Sequence, residues 1–228
     1  MAYPKKFALE EQMTYHARTW FEINGYAVKT EYRTPWGICD LVAVKFDSDY
    51  CRTRDDLGQS AVGNLQRVAL LESIPAKARA SADQLTQATV GLLAPEEVER
   101  ELKYLTKHHF VKSFPEGFQR ITPARVPRNL IIAVELKLNR LEEVVSQAVS
   151  NLTFAHESYV ALPDQNAQRL GASSRAAQVA AWGVGILGVE RGGCETLLKS
   201  RGNPEKVNPF VRAHCIERFW RTIRGRTS

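Results

Sequence analysis

Residues 128–148 read RNLIIAVELKLNRLEEVVSQA, and the way this stretch divides decides the fold. Leu130 to Val134 are apolar without a break and rich in β-branched residues, the pattern of a strand covered on both faces. From Leu141 onward the apolar residues fall at Val144, Val145 and Ala148, which is helical spacing. Downstream, ESYVALP (157–163) reads as a strand, NAQRLGASSRAAQVAAWG (166–183) as one helix and VGILGVE (184–190) as a short strand. Strand–helix–strand–helix–strand implies right-handed crossovers and largely parallel neighbours, so the class is α/β with a central sheet flanked by helices.

Upstream, Leu9, Met13, Ala17 and Trp20 mark an amphipathic helix within 4–24 that Asn24-Gly25 stops. YAVKTEYRT (26–34) and ICDLVAVKF (38–46) alternate as strands around Pro35-Trp36-Gly37, a hairpin. NPFVRAHCIERFWRTIRG (208–225) reads as a final helix. Between the two α/β portions the character changes. Residues 47–58, DSDYCRTRDDLG, are polar and read as a connector. Three helices follow, within 60–75, 81–92 and 94–110, with Ser81 or Asp83 as a cap for the second and Pro95 in the first turn of the third. FVKSFPEGFQRIT (110–122) then alternates around Pro115-Glu116-Gly117. Three helices and a β-hairpin in this order resemble a winged helix, a helix-turn-helix variant. The expected organisation is one α/β domain made of 1–50 and 124–228, interrupted by an inserted module at 51–123.

Two of the expected sheet strands carry an acid among aliphatic residues: Asp40 in GICDLVAV and Glu135 in LIIAVELKL. A carboxylate there is costly unless paired, hydrogen-bonded or bound to a cation. Lys137 lies two residues beyond Glu135, so strand alternation puts both on one face about 7 Å apart. Two acids from neighbouring strands can hold a hard cation such as Mg²⁺, with Mn²⁺ as a substitute, while the ammonium orients or helps deprotonate a water or steadies a phosphate. An ion pair closed within the sheet satisfies the same pattern. A second Glu-Leu-Lys, at 101–103, lies in a helical stretch where i and i+2 point apart, so it forms no such site.

This set resembles the PD-(D/E)XK nuclease superfamily, the restriction-endonuclease-like fold that includes the archaeal Holliday-junction resolvases. The matching features are Asp40 on a strand after a turn, Glu135-Leu136-Lys137 on the next core strand, and the helix and strand that follow. Cys39 stands where the family name has proline, and 95 residues separate Asp40 from Glu135. The resemblance implies that Asp40, Glu135 and the Leu136 carbonyl bind the metal and that Lys137 positions the water. It also implies a glutamine on the following helix, Gln147, and an acid on the first helix. Glu10 flanks that helix's apolar face and Glu11 points away, so Glu10 is the candidate; an acid favoured by the helix dipole would look the same. The implied activity is Mg²⁺-dependent hydrolysis of DNA phosphodiesters, an endodeoxyribonuclease. One such site cuts one strand, so cutting a duplex implies a homodimer or successive nicks.

The net charge of +6 suits a polyanion partner. The third helix of the inserted module offers Arg100, Lys103, Tyr104 and Lys107, and the hairpin Lys112 and Arg120, as DNA contacts. Glu96, Glu97, Glu99 and Glu101 make the start of that helix acidic, which suits a protein partner instead. A non-catalytic DNA-binding or regulatory protein on a nuclease-like scaffold is the alternative expectation, and a partner-binding module of a larger assembly a third. His108-His109 fits a helix C-terminus. Cys39, Cys51, Cys194 and Cys215 form no CxxC pair, Cys39 reading as a small apolar strand residue. With no signal-peptide core and no membrane-length apolar run, the expected setting is the reducing cytoplasm.

Overall fold

Burial follows the sequence periodicities closely enough to build the chain element by element. The computed structural model describes residues 7–121, 128–138 and 141–224. Residues 4–6 of the first expected helix, Thr122, the boundary at 124, Arg140 and Gly225 lie outside them. In chain order the elements are α1 (Glu10–Ile23), β1 (Ala27–Thr34), β2 (Gly37–Lys45), α2 (Ser48–Asp56), α3 (Leu65–Ser73), α4 (Ala82–Ala88), α5 (Pro95–Lys107), β3 (Val111–Phe114) and β4 (Gly117–Arg120). These lead to β5 (Leu130–Leu136), α6 (Leu141–Asn151), β6 (Glu157–Pro163), α7 (Asp164–Gly171), α8 (Arg175–Ala181), β7 (Gly185–Glu190), β8 (Gly193–Leu198), a 3₁₀ turn (Pro204–Lys206) and α9 (Pro209–Arg224). Among the described residues no helix is long and apolar enough to cross a membrane.

The chain divides into two compact units, 1–45 with 130–208, and 46–129 with 209–228. The first holds a mixed six-stranded sheet in the order β1-β2-β5-β6-β7-β8. β5, β6 and β7 are parallel, and the outer pairings are antiparallel. Met13, Ala17 and Phe21 of α1 pack on Leu41, Ala43, Ile132, Val134, Tyr159, Ala161 and Leu187. The alternate residues Val160, Leu162 and Ile186 pack on Val144, Val145, Ala148, Ala167 and Val179 of α6–α8. Period-two alternation thus feeds two cores, one on each face of the sheet.

That alternation fails at one place. β1 and β2 keep one register from Ala27↔Val44 to Thr34↔Gly37, but Glu31, opposite Asp40, takes a left-handed φ of 49°. Val28 and Leu41 belong to the α1 core, whereas Tyr32 stacks on Phe154 and Cys39 meets Asn151 of α6. In a regular strand Cys39 and Leu41 would share a face. The kink exchanges faces beside Asp40, and β2 stops pairing with β5 at Leu41↔Val134.

In the second unit α3, α4 and α5 enclose Val68, Leu70, Leu85, Val98, Leu102 and Leu105, with Phe110 and Val111 from the hairpin end. Ser81 caps α4 through a reciprocal capping box with Gln84. β3 and β4 form the hairpin, and Ala80, between α3 and α4, bridges Phe118 as a third edge. Gly117 sits at φ 134°, where a Cβ would lie 2.4 Å from the Ala80 carbonyl oxygen. Gly117→Ala should therefore lower stability by roughly 1–3 kcal/mol. An unchanged thermal midpoint would contradict this close approach.

Four features depart from the expected string. The polar stretch 47–58 is not a connector: it forms α2, capped by Asp47, which accepts from the Asp49 and Tyr50 N–H groups. Residues 166–183 break into α7 and α8 around Ala172–Ser174, and β8 extends the sheet by a sixth strand. The C-terminal α9 belongs with the helical unit, although its place in the sequence associates it with the sheet. It is held there by a buried pair: Glu217 accepts from Arg54 of α2 at 2.5 Å and from the Val62 N–H at 2.8 Å. Trp220 covers the Arg54 guanidinium at 4.6 Å.

Candidate active site

The end of β5 is where the isolated acids meet. β5 presents Glu135 toward α6, and Lys137 follows the strand's last residue with its N–H on the Ala161 carbonyl. Because β2 has ceased pairing, the Leu136 N–H is taken by the Asp40 carboxylate, Oδ2 at 2.8 Å. A side chain thereby replaces a ladder carbonyl, and the acid is fixed beside the strand end. The Lys137 Nζ lies 3.6 Å from Asp40 Oδ2 and donates to Glu10 Oε2 at 3.1 Å. Glu10 Oε1 also accepts from the Leu138 N–H at 3.4 Å. Glu10 is the first residue of α1, so the same helix start that favours an acid by its dipole aims this one at Lys137. Glu11 is exposed.

Glu135 is 1% exposed. Its Oε1 accepts from the Asn151 amide at 2.6 Å, and its Oε2 is buried without a hydrogen-bond partner. Burial first, and then the negative Asp40, push its pKa up to about 7, against the lowering pull of Asn151, Cys39 and Lys137. Burial pulls the Lys137 pKa down, but the charges and hydrogen bonds of Asp40, Glu10 and Glu135 outweigh it, and the net shift is upward. At neutral pH Lys137 is therefore an ammonium. Burial also raises the Cys39 thiol pKa well above its ordinary value, and the neighbouring Glu135 charge adds to this, so Cys39 is a poor nucleophile.

An orphaned, buried carboxylate oxygen near a second carboxylate is a donor set that a hard cation would satisfy. The donors at hand are Asp40, Glu135 and the Leu136 carbonyl. Among the described residues no group of three or more His, Cys, Asp and Glu side chains is gathered as a metal cage. Two carboxylates and main chain suit Mg²⁺, which keeps several waters, better than Zn²⁺, which takes a closed set of side chains.

Gln147 does not join this cluster; it is exposed on α6, and the amide that reaches Glu135 belongs to Asn151, one turn later. Both are amides on one helix face, so the residue type and helix were readable but the turn was not. In the helical unit Lys103, Lys107 and Lys112 are exposed. Arg100 is also exposed but sits 3.5 Å from Glu97 and 3.4 Å from Glu101. Arg120 is turned inward to Glu72 at 2.7 Å and is a structural residue of the hairpin. Glu101 is buried against Arg67, whose guanidinium lies over Tyr104, so the exposed start of α5 is less acidic than its sequence. His108 packs its ring against Tyr104 at a tilt of 32°, and His109 takes a left-handed φ of 61° where α5 ends. No protein-family model matches the chain, and no curated protein or solved structure matches it either.

Proposed function

We infer that the chain is a metal-dependent DNA endonuclease of the PD-(D/E)XK kind whose helical unit is a winged helix. The observation that carries this reading is that Lys137, directly after β5, reaches Glu10 of α1 and Asp40 of β2, two residues from the buried Glu135 of β5, whose Oε2 has no partner. The order of α3, the Ala80 bridge, α4, α5 and the β3–β4 hairpin supports the winged helix, with Lys103, Lys107 and Lys112 as its exposed cations.

In this reading Asp40, Glu135 and the Leu136 carbonyl would hold Mg²⁺, which would steady charge on a phosphodiester and make water a better nucleophile. Asn151 fixes the Glu135 rotamer. Glu10 and Asp40 hold the Lys137 ammonium extended and charged, so its role is to donate, orienting water or meeting a phosphate oxygen, and not to act as a base. Lys137→Met should lower cleavage by about 10²–10³-fold, the size expected for one lost electrostatic donor, while leaving Mn²⁺ bound. Equal losses of cleavage and of metal would contradict this division of labour.

One observation favours a second reading. Lys137 is already paired with Glu10, as in a structural ion pair, which suits a non-catalytic DNA-binding or regulatory protein on the same scaffold. Purified protein with Mg²⁺ or Mn²⁺ on supercoiled, linear, branched and single-stranded DNA separates the two. Cleavage that Asp40→Ala abolishes supports the nuclease. No cleavage of any substrate, or equal cleavage by the variant, sinks it.

A further inference from the structure

A groove on another part of the sheet unit has the makings of a second binding site. It lies between α6 and α8, with a volume of about 530 Å³, and it contains none of Glu10, Asp40, Glu135 or Lys137. Trp182 is 50% exposed at its wall. A half-exposed tryptophan is unremarkable by itself, but the backbone that carries this one is held. Gly183, at φ 80°, closes α8 in a Schellman arrangement: its N–H donates to the Ala180 carbonyl at 3.0 Å and the Val184 N–H to Val179 at 3.2 Å. The Gly183 carbonyl then accepts from the Arg201 and Gly202 N–H groups, both at 3.1 Å, and from Ser200 Oγ at 2.7 Å. The indole therefore rises from backbone that has little freedom.

The surrounding chemistry is one-sided. Arg175 from α8 and Lys206 from the 3₁₀ turn are exposed at the groove, and Ser146, Ser150 and Gln178 add hydrogen-bonding groups. Among the described residues no Asp or Glu lines it. An aromatic face on constrained backbone that shares a groove with two cations matches unpaired nucleotides: the base stacks on the indole, and phosphates meet the guanidinium fork and the ammonium. A duplex hides its base faces, so Trp182 would gain nothing from one. An acidic peptide satisfies the cations but leaves the indole without a stacking partner. The cations come from separate elements, which favours successive phosphates of a strand over one free nucleotide.

We propose that the Trp182–Arg175–Lys206 groove binds single-stranded nucleic acid. The site stands whether or not the chain cleaves DNA, so its test omits metal. Anisotropy of labelled oligothymidylate is measured in EDTA at low salt, with competing duplex, thymidine monophosphate and polyglutamate. The expected result is binding that Trp182→Ala weakens about ten-fold or more and Trp182→Phe largely preserves. The Arg175→Ala/Lys206→Ala pair should reduce the slope of log Kd against log salt by about 1.4, two phosphates' worth for a single strand, and it serves as the test should Trp182→Ala not fold. Absent binding, unchanged binding in the folded variants, or equal competition by duplex, mononucleotide or polyglutamate overturns the proposal.

Discussion

Glu135→Gln should yield a protein that is more stable above neutral pH and cleaves about a thousand-fold more slowly. The folded carboxyl is held up near pH 7 by burial and by Asp40, above the ordinary carboxylate value. The folded state thus binds its proton more tightly than the unfolded chain, and the wild type in EDTA loses stability as pH rises from about 4.5 to about 7, then levels off. The whole fall is roughly 3 kcal/mol. Glutamine removes it, but the amide nitrogen that takes the place of Oε2 is itself left without a partner, at about 1–2 kcal/mol. The variant should therefore be about 1–2 kcal/mol more stable at pH 8 by chemical denaturation in EDTA, and cleavage should drop about a thousand-fold, as expected when several kcal/mol of charge stabilisation is lost. A carboxylate kept for stability alone would show the opposite pattern, with activity retained and stability lost.

Arg54→Ala should be the most destabilising single change in the helical unit. Arg54 and Glu217 are 3% and 7% exposed, and removing the cation leaves a buried carboxylate that, among the described residues, keeps the Tyr50 hydroxyl and the Val62 N–H. Breaking one side of a buried pair costs about 3–5 kcal/mol, which for a protein of this size lowers the thermal midpoint by roughly 10 °C. Arg54→Met combined with Glu217→Leu should recover most of the loss, because a well-packed apolar pair restores volume without a stranded charge. A single-variant loss below about 1 kcal/mol would show that the pair is not shielded from water.

The same pair explains why α2 was not legible. DSDYCRTRDDLG has no apolar stripe, and its one buried residue is Arg54, whose partner lies 163 positions away. Hydropathy cannot register a helix that turns a charge inward. By contrast β5, α6 and β6 were legible because solid or periodic apolar runs leave little choice of period. Asp40, Glu135 and Lys137 could be singled out because acids and an ammonium interrupt such runs. What lay beyond sequence was the exchange of faces at Glu31 that brings Asp40 to Leu136, and the helix crossing that sets Asn151, and not Gln147, over Glu135. Both are set by tertiary packing, for which no local pattern stands.

The most direct test of the central claim is calorimetric titration of Mn²⁺ into the wild type, Asp40→Asn and Glu135→Gln at pH 7.5. If Asp40 and Glu135 hold the catalytic cation, the wild type binds Mn²⁺ and either substitution removes that binding while leaving the protein folded. Wild-type protein that binds no Mn²⁺, or variants that bind it as the wild type does, would contradict the account.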